Sequence, residues 1–135
     1  MRPILCLLAG LVLCVLCLAP AAIAAAQNYL SRPEYAGYNA AYRDAQRDEK
    51  PLLLLIGAQW CQPCRELRDV HDALRRHGHF APLDLHRHGP LIAALRISAT
   101  VPRLLIWYRG RWEILVGPAA IRQYAIGSRH LTPDP

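Results

Sequence analysis

The sequence contains few of the residues that several classes of binding protein require. Its 135 residues include a single methionine, Met1, so there is no methionine cluster of the kind that binds copper. Lys50 is the only lysine, and the arginines are scattered among acidic residues, which is typical of a solvated surface. The chain also lacks an aromatic-rich basic face and internal repeats. These absences argue against nucleic-acid binding and against a repeat protein.

The first 26 residues form an apolar leader. The first three residues carry one positive charge, residues 4–18 are apolar throughout, and Pro20 precedes an alanine-rich stretch. This pattern is typical of a secretory signal peptide with small residues at the cleavage site, and we expect cleavage after Ala24 or Ala26. An uncleaved membrane anchor is the alternative, because the leader approaches the roughly 20 residues that span a bilayer. The sequence therefore predicts export, most simply to a bacterial periplasm, with a membrane tether if the leader is retained.

Cysteine is scarce once the leader is set aside. Cys6, Cys14 and Cys17 lie inside it, so the exported part keeps only Cys61 and Cys64. A single pair this close together closes a very short loop, which is unlike the several long-range bridges of a disulfide-stapled secreted domain. We therefore expect the pair to carry out chemistry rather than to hold the fold.

The rest of the chain predicts alternating helices and strands. Hydrophobic periodicity predicts helices over 34–49, 63–77, 90–97 and 119–126, and strands over 52–56, 80–85, 104–108 and 112–116. Proline at position 82 places the second strand at an edge of the sheet, because proline cannot donate a ladder hydrogen bond. We divide the sequence into a leader (1–26), an N-terminal arm and helix (27–49), a main domain (50–127) and a tail (128–135).

The two cysteines fall where the first strand gives way to a helix. At a helix N-terminus, unpaired amide donors and the helix dipole favour a thiolate over a thiol. We expect the Cys61 sulfur to face out at this end, and Cys64 to lie one turn in and to be more buried. Cys61 would then attack a disulfide, and Cys64 would close the intramolecular bond.

The residues around this pair resemble those of a known family. The segment Trp60-Cys61-Gln62-Pro63-Cys64 is similar to the active site of the thioredoxin superfamily, and Thr100-Val101-Pro102 resembles its cis-proline loop. The resemblance extends from about Lys50 to Gly127. It implies an α/β fold, namely the minimal thioredoxin fold with a four-stranded mixed sheet and helices on both faces, here preceded by an extra N-terminal helix.

The resemblance also implies a role for each residue of the site. Cys61 and Cys64 would be the catalytic pair. Trp60 would offer an apolar contact to the substrate, Val101 would present its backbone to the substrate chain, and Pro102 would lie against the pair and keep metals from it. The supporting residues would be Gln62, Pro63 and Arg103.

The implied activity is thiol–disulfide exchange without any cofactor beyond the cysteine pair itself. The Gln-Pro dipeptide between the cysteines is closer to the Gly-Pro of reducing thioredoxins than to the dipeptides of strong oxidants. We therefore expect a monomeric reductase of protein disulfides. Its partners would be client proteins with disulfides or thiols and a thiol electron donor in the membrane.

Two positions depart from the family pattern. Leu55 stands where thioredoxins carry a buried acid, and Arg103 follows the proline where threonine is usual. Loss of the acid removes a proton acceptor for Cys64, so we expect slower resolution by that thiol. Arg103, if it points at the pair, would lower the pKa of Cys61 through its positive charge.

Metal binding is the main competing interpretation. Two cysteines at this spacing supply half of a zinc site, and five histidines follow: His71, His77, His79, His86 and His88. A thioredoxin-fold binding module with vestigial or metal-loaded cysteines is therefore the alternative to an enzyme. Covalent haem attachment is excluded, because Arg65 rather than histidine follows the second cysteine.

Overall fold

The structure, a computed structural model, describes residues 31–127. The chain divides into two compact units, Met1–Tyr35 and Ala36–Pro135. The described part of the first unit ends in a 3₁₀ turn, Pro33–Tyr35, in which the Tyr35 N–H donates to the Arg32 carbonyl at 3.0 Å. The predicted leader and the tail from residue 128 lie outside the described residues.

The second unit is built on a four-stranded mixed sheet. The strands are β1 (Leu52–Gly57), β2 (His79–Asp84), β3 (Arg103–Tyr108) and β4 (Arg111–Val116), in the order β2-β1-β3-β4. β1 pairs parallel with β2 and antiparallel with β3, and β3 pairs antiparallel with β4. The predicted α/β class is confirmed. β2, which contains Pro82, is an edge strand as expected.

Helices flank this sheet. They are α1 (Ala36–Asp48), α2 (Gln62–Arg65), α3 (His71–His77), α4 (Gly89–Ala94) and α5 (Pro118–Ala125). α1 packs against β1 and β2, and α3 and α5 pack against each other and against the sheet. From residue 31 to residue 127, no helix combines the length and apolarity needed to cross a bilayer.

The core explains why β1 is apolar at every position. Leu53 and Leu55 pack into a buried cluster with Leu67 and Leu74 from the helical segment and with Leu104, Ile106, Leu115 and Ile121. Because side chains alternate along a strand, Leu52, Leu54 and Ile56 face the other side of the sheet, and they too are buried. β1 is therefore covered on both faces, and the cysteine segment begins just after this buried strand.

The helix predicted over 63–77 is wrong as a single element. The structure has α2, then a 3₁₀ turn at Arg68–Val70, then α3. The carbonyl of Glu66, which would accept from Val70 in a continuous helix, accepts instead from the guanidinium of Arg122 on α5. The Val70 N–H donates to Leu67 at 3.2 Å, so the i→i−4 ladder is interrupted. On this segment, Leu67, Val70 and Leu74 are buried and Ala73 is partly buried.

Candidate redox site

The cysteine pair lies just beyond the end of β1. Cys61 is the N-cap residue of α2, and its N–H donates to the Ala58 carbonyl at 3.1 Å. Cys61 and Cys64 form a disulfide with their Cα atoms 5.3 Å apart. The backbone N–H of Cys64 donates to the Cys61 sulfur at 3.2 Å. A donor at this position favours the thiolate form of Cys61 after the disulfide opens.

The predicted burial of the two cysteines is wrong. Cys61 is only 4% exposed, whereas Cys64 is half-buried. The bond to Cys64 and the hydrogen bond from its N–H turn the Cys61 side chain over the first turn of α2 instead of out toward solvent. Cys64 in turn lines a cavity of about 340 Å³ beside the site, and Cys61 does not. In this oxidised form, the second cysteine is therefore the more accessible one.

Gly57 makes room for Cys64. A Cβ at position 57 would lie 3.3 Å from the Cβ of Cys64 and 3.6 Å from its sulfur. The first of these distances is tighter than ordinary van der Waals contact. The last residue of β1 must therefore be small for the pair to sit against the strand, a requirement that the sequence analysis missed. The signal was a glycine that ends an otherwise unbroken apolar strand.

Leu55 lies beside Cys64, at the position where the resemblance implies a buried acid. Its side chain belongs to the buried core and lines the same cavity as Cys64. No carboxylate of β1 therefore faces Cys64. The slower resolution that we expect from this replacement remains a prediction.

The loop before β3 lies next to the pair. The Val101–Pro102 peptide bond is cis, and Pro102 is buried and lines the cavity that Cys64 also lines. The Pro102 carbonyl accepts from the N–H of Gly117 at 3.0 Å. Within residues 31–127, neither backbone group of Val101 makes a hydrogen bond. The structure thus brings Pro102 to the cysteines and leaves the Val101 backbone without a partner in the described chain.

Trp60 is a highly exposed aromatic residue next to the cysteine pair. Its side chain is 72% exposed, although it directly precedes the buried Cys61. Packing into the core is therefore not its role. A large apolar side chain at this exposure is available for contact with another molecule.

The short helix α2 is braced by side chains on its outer surface. Pro63 lies in its first turn, where the missing N–H costs no hydrogen bond. The Gln62 amide oxygen accepts from the guanidinium of Arg65, and Arg65 also donates to the Gln59 carbonyl at 3.2 Å. Gln62 and Pro63 thus lie in this turn, and their supporting role remains a prediction. The contribution of Arg65 was not foreseen.

Arg103 makes no hydrogen bond or ion pair with either cysteine. It begins β3 opposite Ile56, and strand alternation places it on the sheet face opposite Leu55. In the described chain, no hydrogen bond or ion pair joins Arg103 to Cys61 or Cys64, and its Nε is buried without a hydrogen-bond partner. The structure therefore gives no contact through which Arg103 would act on Cys61.

His71 and His88 line the cavity beside Cys64, but the histidines make contacts of other kinds. The His71 ring packs on Phe80 with ring centroids 5.0 Å apart, and the His77 Nε2 lies 2.9 Å from the Ala125 carbonyl. Burial, followed by the charges of Arg75 and Arg68, lowers the pKa of His71. Among residues 31–127, no group of three potential metal ligands is assembled.

The sequence and the fold both match thioredoxins. A family model described as "Thioredoxin-like" matches residues 34–77. A search of curated protein sequences found no match. The match to the family model covers α1, β1, the cysteine pair and the helical segment that follows, to the end of α3.

Several solved thioredoxins share the fold. A thioredoxin h of poplar is 21% identical, with a TM-score of 0.57 over 67% of this chain and 85% of that one. Thioredoxin O2 of Arabidopsis thaliana, in its oxidised state, is 24% identical, with a TM-score of 0.54 over 69% and 85%. A thioredoxin of Schistosoma mansoni is 18% identical, with a TM-score of 0.53 over 65% and 86%.

The fold and the bonded pair together support a thiol–disulfide oxidoreductase. The family match falls on the segment that carries both cysteines, and the likeness in fold extends over 67% of the chain for the poplar protein. By these findings, this chain is similar to thioredoxin-like proteins over residues 34–77 and shares the fold of thioredoxins.

Proposed function

We propose that this protein is an exported thiol–disulfide oxidoreductase that reduces disulfides in client proteins. The observation that carries the proposal is the Cys61–Cys64 disulfide, with the Cys64 N–H directed at the Cys61 sulfur and Pro102 alongside. No cofactor beyond this pair is needed. Export comes from the leader pattern, and the reducing direction comes from the similarity of Gln-Pro to the Gly-Pro of reducing thioredoxins.

The cycle begins with the dithiol form. The Cys61 thiolate attacks a client disulfide, forms a mixed disulfide and releases one client thiolate. Cys64 then loses its proton and attacks the Cys61 sulfur, which frees the second client thiolate and leaves the Cys61–Cys64 disulfide. Two electrons pass from the protein to the client in each cycle. A thiol electron donor in the membrane would return them.

Two features support client binding beside the pair. The Val101 backbone groups, which have no partner within residues 31–127, can pair with an extended client segment as an added strand does. The exposed Trp60 ring provides apolar contact on the way to the sulfurs. Such contacts would select a client by its backbone and by one apolar side chain rather than by its full sequence.

Single-cysteine variants test this cycle. We expect Cys61→Ser to abolish the reduction of insulin disulfides, because the attacking thiolate is lost. Cys64→Ser should instead accumulate a mixed disulfide with insulin, which mass spectrometry and its reversal by dithiothreitol would identify. Failure of the wild-type dithiol to exchange with insulin or any model disulfide would refute the enzyme.

The reduction potential of the pair tests the direction. Equilibration in a defined thiol buffer should give a value of about −270 mV, as in reducing thioredoxins, whereas a value of about −120 mV would mark an oxidant. An oxidant value would leave thiol–disulfide exchange intact and reverse only the proposed direction.

A further inference from the structure

One edge of the sheet carries an exposed apolar stripe. Trp112, Ile114 and Val116 alternate along β4, with 48%, 47% and 52% of their surface exposed. Because side chains alternate along a strand, all three lie on the same face of the sheet. Leu115 faces the other way and is buried in the core with Ile121 of α5. We refer to the three exposed residues as the β4 stripe.

The helix on that face does not cover the β4 stripe. α1 packs against β1 and β2, and its Tyr42 ring reaches Trp107 of β3, with ring centroids 6.5 Å apart. Trp107 is the register partner of Trp112, so it lies on the same face, one strand nearer to α1. Beyond it, the side chains of the stripe remain exposed. Three large apolar side chains in a row differ from the scattered single ones that a protein surface ordinarily carries.

The backbone of the same three residues points outward. The Gly117 N–H donates to the Pro102 carbonyl at 3.0 Å, so position 117 bonds toward β3. Inward and outward groups alternate along an antiparallel strand, so the N–H and C=O groups of the β4 stripe point away from β3. β4 is the last strand of the sheet, and within residues 31–127 these groups have no backbone partner.

β4 lacks the features that protect an edge strand from pairing. It contains no proline or lysine, and its register with β3 runs unbroken from Arg111 to Val116, without a bulge. The opposite edge of the sheet differs, because β2 contains Pro82, which has no N–H to donate. A regular edge with an apolar face is a template for another strand.

We propose that two copies of this chain associate through β4, which pairs antiparallel with its counterpart about a two-fold axis at Ile114 and joins the two sheets into one. The inference goes beyond the proposed function and does not depend on it. A client protein would need an apolar residue at every second position to match the β4 stripe, whereas a second copy supplies them by symmetry. The monomer expected from the sequence would then be the form that prevails on dilution.

The charges and the length of the strand favour this axis. About Ile114, each Trp112 lies opposite the partner's Val116 and the two Ile114 side chains meet, so apolar residues oppose apolar ones. On the other face, Glu113 lies opposite the partner's Leu115. An axis at Glu113 would instead place two carboxylates directly opposite each other, which is destabilising. An axis at either end of the β4 stripe would run the strand into the hairpin turn or into α5.

Sedimentation velocity measures the association. One strand from each copy makes a small interface, so we expect a dissociation constant of about 1–100 µM. Wild type and variants are expressed identically as the full-length chain and compared over a concentration range that spans these values. A non-reducing gel excludes covalent cross-links between chains. A wild type that stays monomeric at the highest concentration would overturn the proposal.

A charge on the β4 stripe locates the contact. Ile114→Arg places like charges at the axis and should raise the dissociation constant at least about tenfold. Ile126→Arg is the matched control, because Ile126 is 71% exposed and follows α5 rather than belonging to β4. Circular dichroism checks that both variants fold. Equal association of Ile114→Arg and wild type would place the contact elsewhere in the chain and overturn the proposal, as would an equal loss in Ile126→Arg.

A mixture of two variants tests the axis itself. Ile114→Glu and Ile114→Arg should each be monomeric alone, whereas an equimolar mixture should dimerise, because a carboxylate then faces a guanidinium across the axis. A mixture that stays monomeric would show that residue 114 does not meet its own counterpart and would overturn the proposed axis.

Vesicles of phosphatidylcholine and phosphatidylglycerol test a different occupant of the β4 stripe. We expect Ile114→Glu to change the dimerisation of the protein and not its sedimentation with these vesicles. A monomeric wild type that sediments with the vesicles, with this binding lost in Ile114→Glu, would assign the stripe to a membrane surface and overturn the dimer.

Discussion

Gly57 controls how closely Cys64 approaches β1. A Cβ at this position would be 3.3 Å from the Cys64 Cβ, so one of the two residues must shift by a few tenths of an ångström. In the disulfide, Cys64 is tied to Cys61 and has little freedom to move. In the dithiol, the bond to Cys61 is gone, and the backbone that carries the Cys64 Cβ can shift more freely. A side chain at position 57 is therefore tolerated less well in the oxidised form.

We expect Gly57→Ala to make the pair more oxidising. A differential penalty of about 1 kcal/mol, the lower end for overpacking, corresponds to a shift of about 20 mV toward less negative potential. Equilibration of variant and wild type in the same thiol buffer measures it. Gly89→Ala is the control, because a Cβ there meets nothing within 4 Å. An unchanged or more negative potential in Gly57→Ala would show that Cys64 accommodates the methyl group equally in both forms.

The identity of the reacting cysteines could be predicted from the sequence, but their exposure to solvent could not. Two cysteines between an apolar strand and a helical pattern indicate the pair without any structure. Which sulfur is covered depends on the bond between them and on the hydrogen bond from the Cys64 N–H to Cys61, and neither is encoded in residue spacing. Arg103 shows the same limit, because strand register determines the face of the sheet on which it lies.

The elements were predictable where hydrophobic pattern alone determines them. β1 is an unbroken apolar run and the β3–β4 hairpin turns at Arg109-Gly110, where both residues have positive φ as a two-residue turn requires. The helical segment after the cysteine pair was not predictable in this way. Arg122, more than 50 residues further along the chain, donates to one of its carbonyls and interrupts the helix. Hydrophobic periodicity predicts which side of a helix faces the core. It does not predict that a distant side chain will donate a hydrogen bond to a backbone carbonyl of that helix.

Gly78 is a second glycine that close packing requires, because the backbone of Pro51, just before β1, lies directly against it. It follows α3 in an extended conformation, with φ of 174°, so it is not the left-handed cap that helix ends often use. A Cβ at this position would lie 2.2 Å from the carbonyl oxygen of Pro51, and that oxygen also accepts from the His79 N–H at 2.8 Å. The glycine thus permits β2 to begin beside β1.

We expect Gly78→Ala to destabilise the domain by about 1–3 kcal/mol, because backbone rather than a flexible side chain would have to move. Chemical denaturation of the oxidised protein measures the loss. Gly37→Ala is the matched control: nothing lies within 4 Å of its added Cβ on α1, and it should gain about 0.5–1 kcal/mol from helix propensity. Equal stability of Gly78→Ala and wild type would mean that the Pro51 contact is relieved at no cost.

At the scale of the whole molecule, two distinct approaches to one disulfide emerge. The Val101 backbone and Trp60 offer contacts suited to a protein chain, and a cavity of about 340 Å³ lies on the Cys64 side. The proposed cycle reduces disulfides in client proteins. The compartment in which this occurs decides whether such client disulfides persist at all, since they are rare in the cytosol.

We therefore expect the leader to direct the protein out of the cytosol. We expect the full-length chain, expressed in a bacterium, to be recovered from the periplasm beginning at Ala25 or Gln27, as intact mass would show. Leu13→Arg should block this processing, because a charge within the apolar run costs about 2.5–3.5 kcal/mol on insertion scales. Unprocessed wild-type protein in the membrane fraction would instead establish the anchor, while recovery of the intact chain from the cytosol would contradict export. In the anchored case, the same site would work at the membrane surface, next to the thiol donor that the cycle requires.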